Sequence, residues 1–171
     1  MAGAAFIAES SGILRWPGGE MRCAIGKTGI TPARSKREGD GASPIGVWSL
    51  RQVYWRPDRL ERPETALPAH ALTPDAGWCD DPASPLYNQP VTLPFSPSHE
   101  KLWRDDGLYD VIVVLGYNDA PAIPGKGSAI FLHIARPDYS PTEGCVAVSR
   151  DDLLALLKVA KVGDALAIEL G

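Results

Sequence analysis

The chain has 171 residues, 44% of them hydrophobic, and a formal net charge of -4. This length and apolar content suit one domain around one core and set disorder aside, while the negative charge argues against nucleic acid or an anionic membrane as partner. With 16 prolines and 17 glycines the chain cannot be mainly helical, because proline removes a backbone donor and breaks helix interiors.

Residues 1–9 carry neither the basic segment nor the apolar run of a signal peptide, and no later stretch has the length and hydrophobicity of a membrane span. The expected location is therefore the cytoplasm, or the periplasm if a leader has been removed. Cys23, Cys79 and Cys145 are an odd number, far apart and without a CxxC pair, which implies free thiols in a reducing compartment.

Residues 5–25 predict a β-hairpin: Met21, Cys23 and Ile25 alternate with Arg22 and Ala24, and Pro17-Gly18-Gly19 supplies the turn. Residues 26–46 form a polar, glycine-rich loop whose mixed-charge run, from Arg34 to Asp40, is a solvated segment. Residues 47–55 read as a strand. Over about residues 56–98 no period is sustained and prolines recur. So long an irregular stretch is unusual in a compact domain, and is expected to be an excursion lining one side of a site, with Trp78, Cys79, Asp80, Asp81, Tyr87 and Asn88.

The β-branched run at 110–115 predicts a buried central strand, closed by the turn Gly116-Tyr117-Asn118-Asp119. Residues 128–135 predict a second strand. Residues 149–161 predict the one helix, with Ser149 as N-cap, Asp151 and Asp152 in the first turn, and an apolar face of Leu153, Leu156, Leu157 and Ala160. Gly163 ends it, and residues 165–170 predict a last strand.

The chemistry concentrates between His133 and Cys145. His133 lies near a strand end; Cys145 follows a proline-bearing loop and comes directly after Gly144. A thiol needs a base or a positive field to become thiolate near neutral pH, and a histidine on a neighbouring strand end supplies one. Gly144 permits a sharp turn that brings backbone N–H groups to a reacting carbonyl. Taken alone, a cysteine and a histidine at this separation are in most proteins structural. Tyr117 and Asn118, after the central strand, and Tyr87 and Asn88, in the excursion, are further candidates for the cleft. His70, Cys79 and His99 lack the spacing of a zinc site, and neither metal nor cofactor is expected.

Thr142-Glu143-Gly144-Cys145-Val146, preceded by a strand ending in His133, resembles the signature of the L,D-transpeptidase catalytic domain (YkuD family), and Ser43-Pro44-Ile45-Gly46-Val47-Trp48 resembles a segment frequent upstream in that family. The resemblance covers most of the chain from about Ile25 onward. It implies a mostly β (β-rich α+β), sandwich- or barrel-like single domain over residues 1–171, with long loops and one helix near the C-terminus. It assigns Cys145 as nucleophile and His133 as general base, Gly144 and Cys145 as oxyanion-hole donors, and Thr142 as the Ser/Thr of the motif. Glu143 stands where the family usually has histidine, Ala147 where it has Arg or Asn, and Ile134 where a glycine often follows the base; the loop to Cys145 is also short. Arg136 or Arg150 takes the place of the missing cation.

The implied partner is a peptidoglycan stem tetrapeptide, cleaved between diaminopimelate and D-alanine through a thioester. Water as acceptor makes the enzyme an L,D-carboxypeptidase of cytosolic wall recycling, the favoured expectation; an amine makes it an L,D-transpeptidase. The reading of another class is an inactive peptide-binding module.

Overall fold

The computed structural model describes residues 4–171; Met1 to Gly3, where the start of the expected domain and leader reading falls, lie outside them. Among the described residues thirteen strands, one α-helix and a short 3-10 turn follow one another. The expected N-terminal hairpin is a three-stranded meander, β1 (Phe6–Glu9), β2 (Ile13–Trp16) and β3 (Gly19–Arg22). A second turn precedes Ile13, with Gly12 at φ +88, a conformation that costs glycine nothing. After β4 (Ile30–Pro32) comes the longest strand, β5 (Ser43–Trp55), which begins at Ser43 itself.

The expected irregular excursion contains secondary structure: β6 (Ala69–Ala71) pairs with β5, and β7 (Ala76–Cys79) lies between β8 (Pro90–Thr92) and β9 (His99–Lys101) in a separate three-stranded sheet. Strands of three and four residues are too short to show a period among prolines. The strong apolar runs form β10 (Val111–Leu115) and β11 (Phe131–Ile134), followed by β12 (Val146–Val148), α1 (Arg150–Val159) and β13 (Ala165–Glu169).

The large sheet runs β12-β11-β10-β5-β13-β1-β2-β3. Just beyond β3, Ala24 bridges to Ala147 of β12 and Gly26 to Thr142, so the first and last strands of the path meet and the sheet is nearly a closed barrel. Strand β10 is buried on both faces. Val111, Val113 and Leu115 join the core that holds Leu153, Leu156 and Leu157 of α1; Ile112 and Val114 pack with Trp78, Tyr109 and Phe131 beneath the small sheet. This two-sided burial is why its sequence is continuously apolar.

Helix α1 starts as expected, with Ser149 Oγ accepting the Asp152 N–H at 3.1 Å, and it ends at Ala160, three residues before Gly163. The buried Asp110 carboxylate ties the helix to β10 by accepting hydrogen bonds from Arg150 and from Arg59, the latter at 2.9 Å. Leu156 is fully buried in this core, whereas Val159 is 44% exposed. Leu156→Ala should therefore lower unfolding free energy by about 2–5 kcal/mol, and Val159→Ala by less than about 0.5 kcal/mol. Urea titration of both variants checks this, and equal losses would contradict the packing described.

Candidate active site

Register brings the two expected catalytic residues together. The parallel pairing of β11 with β12 sets Leu132 beside Val146 and His133 beside Ala147. Side chains alternate along a strand: Leu132, Ile134, Val146 and Val148 enter the core on the helix side, so Phe131, His133, Cys145 and Ala147 share the opposite face. His133 and Cys145 are diagonal neighbours there, a relation that long and aromatic side chains can span. Both line one cavity of about 410 Å³, together with Thr142, Glu100, Arg104 and Tyr109.

The turn before the cysteine is fixed by side chains distant in sequence. Gly144 sits at φ +135, and a Cβ there would lie 2.9 Å from the Ala42 carbonyl oxygen, so only glycine fits without displacement. Ser43, fully buried, donates from Oγ to the Gly144 carbonyl at 2.8 Å and accepts the Gly26 N–H at 2.9 Å. Thr142 Oγ1 accepts the Gly144 N–H at 3.0 Å and donates to the Cys145 carbonyl at 2.6 Å. The Gly144 N–H, expected as an oxyanion donor, is thus already bonded to Thr142. Glycine's role here is conformational.

The expected contact between His133 and Cys145 is also not made directly. Cys145 Sγ donates to the Ala129 carbonyl at 3.2 Å and accepts the Phe131 N–H at 3.3 Å; among the described residues no hydrogen bond joins it to His133. Ala129 occupies the left-handed region, φ +52, which explains why β11 starts at Phe131 and not at 128. Asn88 holds that conformation: its Oδ1 accepts the Ala129 N–H at 3.0 Å and Trp78 Nε1–H at 2.9 Å, and its Nδ2 donates to the carbonyls of Tyr117 and Asn118.

Both groups rest uncharged. Burial, reinforced by the negative charge of Glu100, pushes the Cys145 thiol up to about 12. Burial lowers His133 to about 4, against a partial offset from its hydrogen bond to Ile134. That bond runs from Nδ1 to the Ile134 carbonyl at 2.9 Å. A carbonyl only accepts, so the proton sits on Nδ1 and Nε2 carries the lone pair a base needs. The ring is further held by Tyr109, edge-on with centroids 5.2 Å apart.

The remaining expected residues divide. Arg136 is exposed and lines the cavity, whereas Arg150 is committed to Asp110. Tyr117, Asn118 and Tyr87 do not line the cavity. The Tyr117 ring packs edge-on against Trp48 and its hydroxyl donates to the Lys126 carbonyl at 2.6 Å. Asn118 closes the loop after β10 through Ile123 and Gly127. The buried Tyr87 donates to Glu38 Oε1 at 2.7 Å. A residue after a central strand is as free to staple its own loop as to face a cleft, and these polar side chains bond nearby backbone and carboxylate groups. Glu143, in the family's histidine position, forms an exposed ion pair with Lys27 at 2.8 Å. Of the excursion, Asp80 reaches the cavity. Glu100, Tyr109 and Arg104 were missed by the sequence reading. Glu100 lies on a three-residue strand that shows no period, and Tyr109 gave only the weak signal of standing just before β10.

No three His, Cys, Asp or Glu residues among those described converge as a metal-binding group; His70 lies against Tyr54, and His99 bonds to the Pro97 carbonyl.

The burial of a neutral His133 has a consequence for stability. Its folded pKa of about 4 lies below the ordinary 6.5, so as pH falls the unfolded chain takes up the proton first. The contribution of His133 is full above about pH 6.5 and is lost as pH falls towards 4, by about 3 kcal/mol. Denaturant titrations at pH 7 and pH 4 should show wild type losing about that much more than His133→Gln. Equal losses would mean that His133 is not held neutral.

The family model of the L,D-transpeptidase catalytic domain, YkuD, matches residues 5–168. Among curated proteins, no sequence matches. Among solved structures, L,D-transpeptidase 1 of Mycobacterium tuberculosis is similar at a TM-score of 0.43 and 16% identity, over 99% of this chain and 60% of that one; this chain thus spans well under two thirds of that protein's length. With a family match over nearly its whole length, the chain belongs to the YkuD family of L,D-transpeptidase catalytic domains.

Proposed function

We propose that the protein is a cysteine-dependent L,D-carboxypeptidase acting on peptidoglycan stem tetrapeptides. The observation that carries this reading is the joint presence of Cys145 and His133 on one face of adjoining strands, lining one cavity, with the His133 tautomer leaving Nε2 unprotonated. In the reaction, Cys145 Sγ leaves the Ala129 carbonyl and gives its proton to His133 Nε2. The thiolate attacks the carbonyl carbon of the diaminopimelate–D-alanine bond, and the oxyanion takes the Cys145 N–H. His133 returns the proton to the departing D-alanine nitrogen as the C–N bond breaks, leaving a thioester. Water then gives a proton to His133 and attacks the thioester; the C–S bond breaks, Sγ regains the proton, and the tripeptide leaves with a new carboxylate.

The thiol's high resting pKa, set by burial and by the charge of Glu100, fits a nucleophile that is deprotonated only once substrate is bound. Hydrolysis is favoured over transfer by the composition around the nucleophile. On the face shared with Cys145, strand β12 presents only Ala147, where the family usually has Arg or Asn, and Glu143 at the rim is occupied by Lys27. An amine acceptor must arrive deprotonated and aligned, whereas water needs only a position beside His133. Three free, buried thiols suit a reducing compartment, so the setting assigned is the cytosol, where soluble wall fragments are trimmed.

A tetrapeptide incubated with the protein should give tripeptide and free D-alanine, and added millimolar D-amino acid should give little exchange product by liquid chromatography. Cys145→Ala should abolish release while keeping the fold; Cys23→Ala should keep activity. Dominant exchange or dimer formation would make the protein a transpeptidase. Intact peptide bound without release by wild type would make it a binding module.

A further inference from the structure

The cavity lined by Cys145 also carries the carboxylate of Glu100, a group that opposes thiol ionisation until a substrate cation neutralises it. Glu100 occupies the middle of β9, paired in register with the buried Trp78. Alternation therefore turns Glu100 to the cavity side, while its neighbours His99 and Lys101 line a different groove on the far side of the small sheet. The Glu100 carboxylate accepts a hydrogen bond from the Tyr109 hydroxyl, and the ring of Tyr109 stands against His133. Glu100 is thus linked to the catalytic base through a single side chain.

Its charge is poorly compensated. Arg104 approaches only to 4.0 Å and spends its fork on Asp106, with Nε donating at 3.1 Å to Oδ1. Lys36, the other buried cation of the cavity, is held by Asp40 at 2.6 Å and by the Arg37 carbonyl at 2.9 Å. The two other carboxylates of this wall are no better served: Glu38 accepts from the hydroxyls of Tyr87 and Ser128, and Asp80 from that of Ser98. A partly buried carboxylate whose nearest cation is shared with another acid is costly, and here it also opposes formation of the neighbouring thiolate.

We infer that Glu100 is a specificity-determining residue that receives the side-chain ammonium group of the substrate residue on the acyl side of the scissile bond. This rests on the acyl-transfer reading above. An ammonium seated on Glu100 cancels the negative charge facing Cys145, so proton transfer from Sγ to His133 Nε2 becomes easier only when the correct side chain is bound. The carboxylate therefore acts against the wrong substrate as well as for the right one, which is the general requirement for discrimination.

The test compares two tetrapeptides ending in D-alanine, one with lysine and one with norleucine at the third position. Wild type should cleave the lysine peptide with kcat/KM roughly tenfold or more above the norleucine peptide, the scale of one charge-assisted contact. Glu100→Gln keeps an acceptor for the Tyr109 hydroxyl and removes only the charge. It should lower kcat/KM for lysine about tenfold and raise it for norleucine about threefold, a crossover that mere loss of structure cannot produce. Binding of both peptides to Cys145→Ala, by calorimetry, measures the same preference without turnover. Equal cleavage and equal binding of the two peptides, or a preference unchanged in Glu100→Gln, would overturn the inference. No cleavage of either peptide with the binding preference intact would instead overturn acyl transfer and uphold the role of Glu100.

Discussion

The site depends on a short piece of backbone, Ala129 to Phe131, that holds the Cys145 thiol. Ala129 offers its carbonyl and Phe131 its N–H, at 3.2 and 3.3 Å, and this is possible only because Ala129 adopts a left-handed conformation. An alanine there is strained, and the structure sustains it with Asn88, whose amide is in turn fixed by Trp78 and by the chain after β10. A segment remote in sequence thus determines where the nucleophile rests. The same logic governs the other side of the cysteine, where Ser43, Thr142 and Gly144 set the turn that leads into β12. Cys145 is positioned by a buried hydrogen-bond network, which is worth more when every member is satisfied; among the described residues no buried side-chain polar atom lacks a partner.

This arrangement makes the resting site electrically quiet. A thiol pushed up to about 12 and an imidazole lowered to about 4 form no ion pair, so reactivity has to be supplied by what binds. The cavity is lined by both halves of that requirement: His133, with Nδ1 bonded to the Ile134 carbonyl and Nε2 left unprotonated, and the carboxylate of Glu100. Desolvation by a peptide and neutralisation of Glu100 act on the same proton transfer.

Much of this was legible from residue order. Of the two strands that carry the site, β11 is one of the strong apolar runs, whereas β12 is too short to show a period, and alternation along both decides which residues share a face. Cys145 and His133 were marked as candidates by a glycine before a cysteine and a histidine at a strand end, and singled out by the resemblance of Thr142-Glu143-Gly144-Cys145-Val146 to the family motif. What could not be read has a common cause. The small sheet consists of strands too short to impose a period, so Glu100 had no pattern to mark it. Tyr117, Asn118 and Tyr87 looked like cleft residues because polar groups after a central strand serve loops and sites equally well, and only the partner atoms distinguish the two. The Gly144 N–H looked available because the hydroxyl of Thr142, two residues away, competes for it in a way that sequence spacing does not reveal.

The central claim is that Cys145 carries the acyl group. Protein mixed with excess tetrapeptide, quenched in acid within the first turnovers and digested, should give one modified peptide by mass spectrometry, containing Cys145 and heavier by the tripeptidyl group, with Cys23 and Cys79 unmodified. Release of D-alanine with no adduct on Cys145 at any quench time, or an adduct on either of the other thiols, would contradict the account.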